Sequence, residues 1–278
     1  ALTIAAAGGL EVGDPANRIS LGGNWSNAGS FLSAGGLLLF DAAGPQTLES
    51  GGTGADKDFS DIRKSGSGPL SLITDSISVS GTVTVDSGCG FDLNNLSLLD
   101  NIGSGADLLN NGTFTINGSS DAELADVTNG ASGLIILDGD ETAPSGTLSI
   151  GGEVRYTGSA SYTGLLLGDS YGDLGFPSGG GNWTLDSPLS VGGSLDASGA
   201  GSIDATANDV AVTFTGSVGT GSYTPPSGGA SNFTFHHFVI GASGDVTAAG
   251  DIYLEGDWSN SGSFSHGSNT VYFLNAGL

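Results

Sequence analysis

Apolar and polar residues alternate along this chain in short runs. Thr82-Val83-Thr84-Val85, Phe114-Thr115-Ile116, Thr147-Leu148-Ser149-Ile150, Leu189-Ser190-Val191, Val210-Ala211-Val212-Thr213-Phe214 and Val271-Tyr272-Phe273 all keep a period of two. That period puts successive side chains on opposite faces of an extended strand. Gly, Asn, Asp or Ser bounds each run, and these residues tolerate the backbone angles of tight turns. Amphipathic helix is not expected, because glycine interrupts every window with apolar residues at i, i+3, i+4 and i+7. The pattern predicts an all-β chain with a strand roughly every ten residues, the spacing of a sandwich, a barrel or a solenoid.

Internal repeats narrow that choice. Gly23-Asn24-Trp25-Ser26-Asn27-Ala28-Gly29-Ser30-Phe31 recurs as Gly256-Asp257-Trp258-Ser259-Asn260-Ser261-Gly262-Ser263-Phe264. The strands that follow keep register, Leu37 to Phe40 matching Thr270 to Phe273. Gly181-Asn182-Trp183-Thr184 is a weaker third echo of this Trp block. A looser strand block recurs around Leu2-Thr3-Ile4 and Ile19-Ser20-Leu21, around Phe59 to Val79, and around Phe235 to Leu254. The predicted organisation is a repeat block at 1–80, a divergent β middle at 81–231, and a second repeat block at 232–278. Inexact repeats with Gly and Asn at their corners favour a β-solenoid, in which each coil buries its apolar face on the next. Tandem β-sandwiches are the rival, since Asn111-Gly112, Asn117-Gly118 and Asn129-Gly130 suit two-residue hairpins.

The Trp block, followed by an apolar strand ending in Phe40 and then by Gln46-Thr47-Leu48, resembles repeats of large secreted surface proteins of bacteria and archaea. Those are Gly/Ser/Thr/Asn-rich β-solenoid or adhesin-like proteins. The resemblance spans about 1–80 and 232–278. It implies an architecture and an extracellular or cell-surface location, and it carries no catalytic residues.

Composition excludes several function classes. Lys and Arg total 5 against 29 Asp and Glu, a formal net charge of -24, which offers no electrostatic footprint for nucleic acid or an anionic membrane. No apolar run reaches the ~18–20 residues of a spanning helix, so membrane insertion is not expected. Cys89 is a lone cysteine and reads as a small buried apolar side chain. The 51 glycines follow no strict period of three, which rules out collagen.

Candidate chemistry is sparse. Asp138, Asp140 and Glu141 form the densest acidic cluster, and on an extended segment Asp138 and Asp140 would share a side, a weak Ca²⁺ candidate. His236 and His237 are adjacent, so on a strand they would point to opposite faces and could not grip one ion. Lys57, Arg63 and Lys64 gather three of the five basic residues and offer a patch for an acidic neighbouring subunit. Sequons at Asn24, Asn95, Asn111, Asn117, Asn182 and Asn232 permit N-glycosylation in a suitable host. No catalytic constellation is found, so neither an enzyme nor a resident cofactor is expected.

Repeat order gives the functional expectation. The last Trp block would be an incomplete coil, and the chain opens on a strand block. One copy placed after another continues the alternation. The expectation is therefore a homopolymeric structural subunit of an extracellular filament, fibre or sheath. Its copies would join head to tail by strand addition, with Leu2, Thr3 and Ile4 meeting Val271, Tyr272 and Phe273. The competing expectation is a cell-surface adhesin that binds glycans along a solenoid face through Trp25, Trp183 and Trp258.

Overall fold

A computed structural model of the chain describes residues 1–100, 105–118, 120–229 and 232–274. Among these residues there is no α-helix, and the strands pair in parallel. The protein is an all-β solenoid. Three of the predicted strands are found with the predicted bounds, Thr82–Val85, Leu189–Val191 and Val271–Phe273. Tandem sandwiches are excluded, because their hairpins need antiparallel neighbours. The Asn-Gly pairs turn corners instead: Asn111-Gly112 links Ala106–Asn110 to Thr113–Thr115, which pair with different neighbours.

Two compact units divide the chain, Ala1–Ile136 with Glu141–Ser149, and Leu137–Asp140 with Ile150–Leu278. In the first unit one side stacks Leu2–Ile4, Trp25–Asn27, Gln46–Glu49, Pro69–Leu72, Gly90–Asp92 and Thr113–Thr115. A second side stacks Arg18–Leu21, Leu37–Phe40, Asp61–Lys64, Thr82–Val85, Ala106–Asn110 and Leu124–Asn129. Shorter pairs such as Gly9–Glu11 with Ser30–Leu32 complete the coils. In the second unit three stacks begin with Glu153–Tyr156, Ser161–Thr163 and Ser170–Tyr171.

Parallel in-register stacking turns each inward position into a column. Leu70, Phe91, Phe114 and Ile135 form one such column in the first unit, and all four are buried. Leu189, Val212, Phe238 and Trp258 form one in the second. Each buried Leu or Phe stabilises the fold by about 1.5–3 kcal/mol relative to exposure. Trp25 is fully enclosed, with Phe31 at 4.8 Å and Phe59 at 5.8 Å between ring centroids. Trp183 is equally deep, against Tyr156 at 5.0 Å and Phe176 at 5.1 Å, with Tyr162 stacked on it at 4.1 Å.

The two Trp blocks have the same local fold. Leu2 pairs with Trp25, Leu10 with Phe31 and Leu21 with Phe40. In the second unit Phe238 pairs with Trp258, Val246 with Phe264 and Leu254 with Phe273. Asn27 Oδ1 accepts the amide of Gly29 at 3.0 Å, and Asn260 Oδ1 accepts that of Gly262 at 2.9 Å. Asn is used at this corner because its short amide can satisfy a turn N–H two residues on.

Candidate functional site

The most distinctive surface is the coil Trp258–Asn260, Ser263–Ser265 and Val271–Phe273 in the second unit. Each of its strands has a pairing partner on one side only among the described residues. Two of its three counterparts in the first unit, Trp25–Asn27 and Leu37–Phe40, have strand neighbours on both sides. Gln46–Glu49 covers Trp25–Asn27 with Leu48 against Trp25, and Asp61–Lys64 covers Leu37–Phe40. Phe31 donates its amide to Asp56 O at 2.6 Å. The burial contrast follows from this cover. Phe40 is 0% exposed, whereas its equivalent Phe273 is 64% exposed and Tyr272 is 41% exposed. Trp258 is half-buried, stacked on Phe238 at 4.7 Å and edge-on to Phe264 at 4.9 Å.

Leu2–Ile4 likewise has Trp25–Asn27 as its single strand partner among the described residues. An open groove of about 320 Å³ runs along this coil, lined by Leu2, Thr3, Ile4, Ala5, Gly9 and Leu10 among others. Of the six residues expected at a subunit junction, Leu2, Thr3 and Ile4 lie on Leu2–Ile4 and Val271, Tyr272 and Phe273 on Val271–Phe273, each strand paired on one side among the described residues.

The three basic residues do not share one exposed patch: Lys64 is buried, Lys57 is half-buried and Arg63 is exposed. Lys57 Nζ donates to Gly29 O at 2.7 Å, and Arg63 is bound to Asp86 at 2.9 Å. Lys64 is fully buried and donates to Gln46 Oε1 at 2.9 Å and Ala42 O at 3.0 Å. Gln46, also buried, donates to Leu21 O at 2.8 Å and Gly23 O at 2.7 Å, so one amide and one ammonium satisfy carbonyls on neighbouring coils. Burial holds the Lys64 ammonium below its ordinary pKa, opposed by the attraction of Cys89 and Asp41. Burial likewise raises the Cys89 thiol. The sequence held a signal for this centre: Lys64 is two residues from Ile62, hence on the same inward face.

The acidic cluster follows the strand Leu134–Leu137 as irregular chain bent at Gly139 and Glu141, not as an extended segment. Asp138 Oδ1 accepts the Thr157 hydroxyl at 2.8 Å, Asp140 is exposed and Glu141 is buried. Among the described residues no three His, Cys, Asp or Glu side chains converge as a metal-binding group.

His236 and His237 do not point to opposite faces. A bend at His236 precedes the strand His237–Ile240, and the two rings lie 4.2 Å apart. Each faces its own carboxylate, His236 Nδ1 at 3.5 Å from Asp209 and His237 Nδ1 at 3.5 Å from Asp257.

Of the sequon asparagines, Asn24, Asn95 and Asn182 are exposed, while Asn111, Asn117 and Asn232 are half-buried. Ser119, which completes the Asn117 sequon, is outside the described residues. Trp25 and Trp183 pack in the core, so neither offers a face to a glycan. No helix among the described residues is long and apolar enough to cross a membrane. No protein-family model, curated protein or solved structure matches this chain.

Proposed function

We propose that this chain is a structural, non-enzymatic subunit of an extracellular fibre or sheath that lengthens by stacking coils from copy to copy. One observation carries the reading. The same Trp coil occurs twice among the described residues, with Phe40 buried under the strand Asp61–Lys64 and its equivalent Phe273 64% exposed. An open parallel edge with apolar side chains is a template for more of the same structure. A contact between unlike surfaces of identical copies yields filaments when the rotation does not close a ring. Gly, Ser, Thr and Asn dominate the polar positions, and charged residues are only 12% of the chain, which fits a secreted repetitive protein.

Electron microscopy of the purified chain, with light scattering across a concentration series, tests the reading. Filaments built from copies of this chain are expected. A monodisperse monomer at high micromolar concentration overturns it.

A further inference from the structure

We propose that Tyr253 and Tyr272 are an oxidative crosslinking site, where hydrogen peroxide acting through a haem peroxidase joins the two phenols as dityrosine and ties two neighbouring coils together. The reaction takes place within one chain and needs no contact between copies.

Strand register makes the pair. Ile252–Leu254 and Val271–Phe273 run parallel with Tyr253 opposite Tyr272. Ile252 and Leu254 are buried, so Tyr253 between them points outward. Neighbouring strands lie ~4.8 Å apart, a spacing that lets two in-register rings meet face to face. The ring centroids are 4.9 Å apart and the planes lie 7° from parallel. The turn at Gly229 packs against the same ring, since a Cβ there would lie 3.0 Å from the Tyr253 hydroxyl oxygen. Tyr253 is half-buried and Tyr272 is exposed, so both phenols are open to an oxidant.

The other four tyrosines lack this combination. Tyr156 and Tyr171 are also a ring pair, but both are buried and meet edge-on at 6.5 Å. Tyr223 is buried, and half-buried Tyr162 stacks on Trp183. Composition removes the usual sulfur competitors for peroxide. Met is absent, and Cys89 is buried. Trp25 and Trp183 are enclosed. Oxidising equivalents therefore fall on accessible aromatic rings, chiefly this pair and half-buried Trp258.

The chemistry balances. Each phenol gives up one electron and its hydroxyl proton, leaving a radical shared between the oxygen and the ortho carbons. The two radicals form one carbon–carbon bond between ortho positions. The hydrogen on each of those carbons then moves to the phenol oxygen and restores the ring. Two electrons and two protons leave the protein in all, and peroxide takes them up as its O–O bond breaks to give two waters. Rings already held together couple faster than a second chain can supply a partner. The bond closes a loop of the eighteen residues between Tyr253 and Tyr272, which lowers the entropy of the unfolded chain.

Hydrogen peroxide and a haem peroxidase, added to a dilute solution of the chain, test the site. The product should fluoresce as dityrosine, remain the size of one chain and have lost two hydrogen atoms by intact mass. Proteolysis should give one fragment holding both Tyr253 and Tyr272. Tyr253→Phe and Tyr272→Phe each keep the stacked ring, so both should fold, and each should lose the emission. Tyr162→Phe should keep it. The thermal midpoint should rise on oxidation of the native chain and stay in place for oxidised Tyr272→Phe. Emission that survives Tyr253→Phe or Tyr272→Phe, or a crosslink that maps between chains, overturns the site. So does a native chain that stays dark while free tyrosine couples in the same mixture. A crosslinked chain whose midpoint has not risen removes the stapling role.

Discussion

Lys64 and Gln46 form the most consequential pair of single residues in the first unit. A bare ammonium in this interior would cost several kcal/mol, and the two oxygen partners at 2.9 and 3.0 Å offset that cost. Gln46 has the wider reach, since its carboxamide joins Leu21 O, Gly23 O, the Ala42 amide and Lys64. Gln46→Leu removes all four bonds at once, leaving Leu21 O with the Asp41 amide and Lys64 with Ala42 O alone, and should lower stability by about 3 kcal/mol or more. Lys64→Met removes the buried charge along with the bonds and should cost only about 1–2 kcal/mol. Urea titrations of the two variants check the order, and a larger loss for Lys64→Met would refute it. The glycines at the Asn corners are a second residue-scale constraint. A Cβ on Gly29 would strike the carbonyls of Gly8 and Ala5, and one on Gly262 those of Gly244 and Gly241. Backbone cannot yield as a flexible side chain does. Gly29→Ala and Gly262→Ala should each cost about 1–3 kcal/mol in thermal unfolding, although neither residue makes a side-chain contact.

Among the elements, the strands around Tyr156 and Tyr171 set the response to alkali. Tyr171 donates to Gly168 O at 2.6 Å and shares a hydrogen bond with the Tyr156 hydroxyl at 3.0 Å, which also accepts the Leu167 amide at 3.1 Å. Burial pushes Tyr171 well above its ordinary value of 10.0, and burial raises Tyr223 as well. Their protons stay on in the folded chain and leave the unfolded one as pH rises past about 10. The stabilisation is therefore complete below pH 10 and falls above it, with Cys89 acting in the same sense and Lys64 in the opposite one. Tyr171→Phe should be less stable than the native chain by about 1 kcal/mol at pH 8, through its lost hydrogen bonds. The two stabilities should converge between pH 10 and 11, and curves that stay parallel would count against a buried phenol. At this same scale the sequence is most and least legible. Period-two runs such as Thr82–Val85 are visible because one face of each strand is buried and the other is not. The coil order is visible because Trp25 and Trp258 repeat with their corners. The close approach of His236 and His237 is not, since it depends on a bend at the strand start. Nor is the cover that the turn carrying Asp56 gives Phe31, made by irregular chain with no alternation to read.

For the whole molecule the decisive quantity is the net charge of -24. Joining two such copies brings like charges together. Against this repulsion stands apolar burial, chiefly of Phe273, at about 25 cal/mol for each Å² removed from water. The attraction is short in range and indifferent to salt, whereas the repulsion extends over the Debye length, about 30 Å at 0.01 M and 8 Å at 0.15 M. Elongation should therefore be slow in dilute buffer and accelerate steeply as sodium chloride approaches physiological strength, the reverse of association between oppositely charged partners. Light scattering at fixed protein concentration reads this directly, with half-times expected to fall at least tenfold between the two salt concentrations. Phe273→Ser separates the two forces. At 64% exposure the ring contributes little to the fold, so thermal unfolding should barely change while elongation stops at every salt concentration. If instead Phe273→Ser chains elongate normally once salt is added, charge screening alone governs association and the apolar edge of the last coil is not the joint.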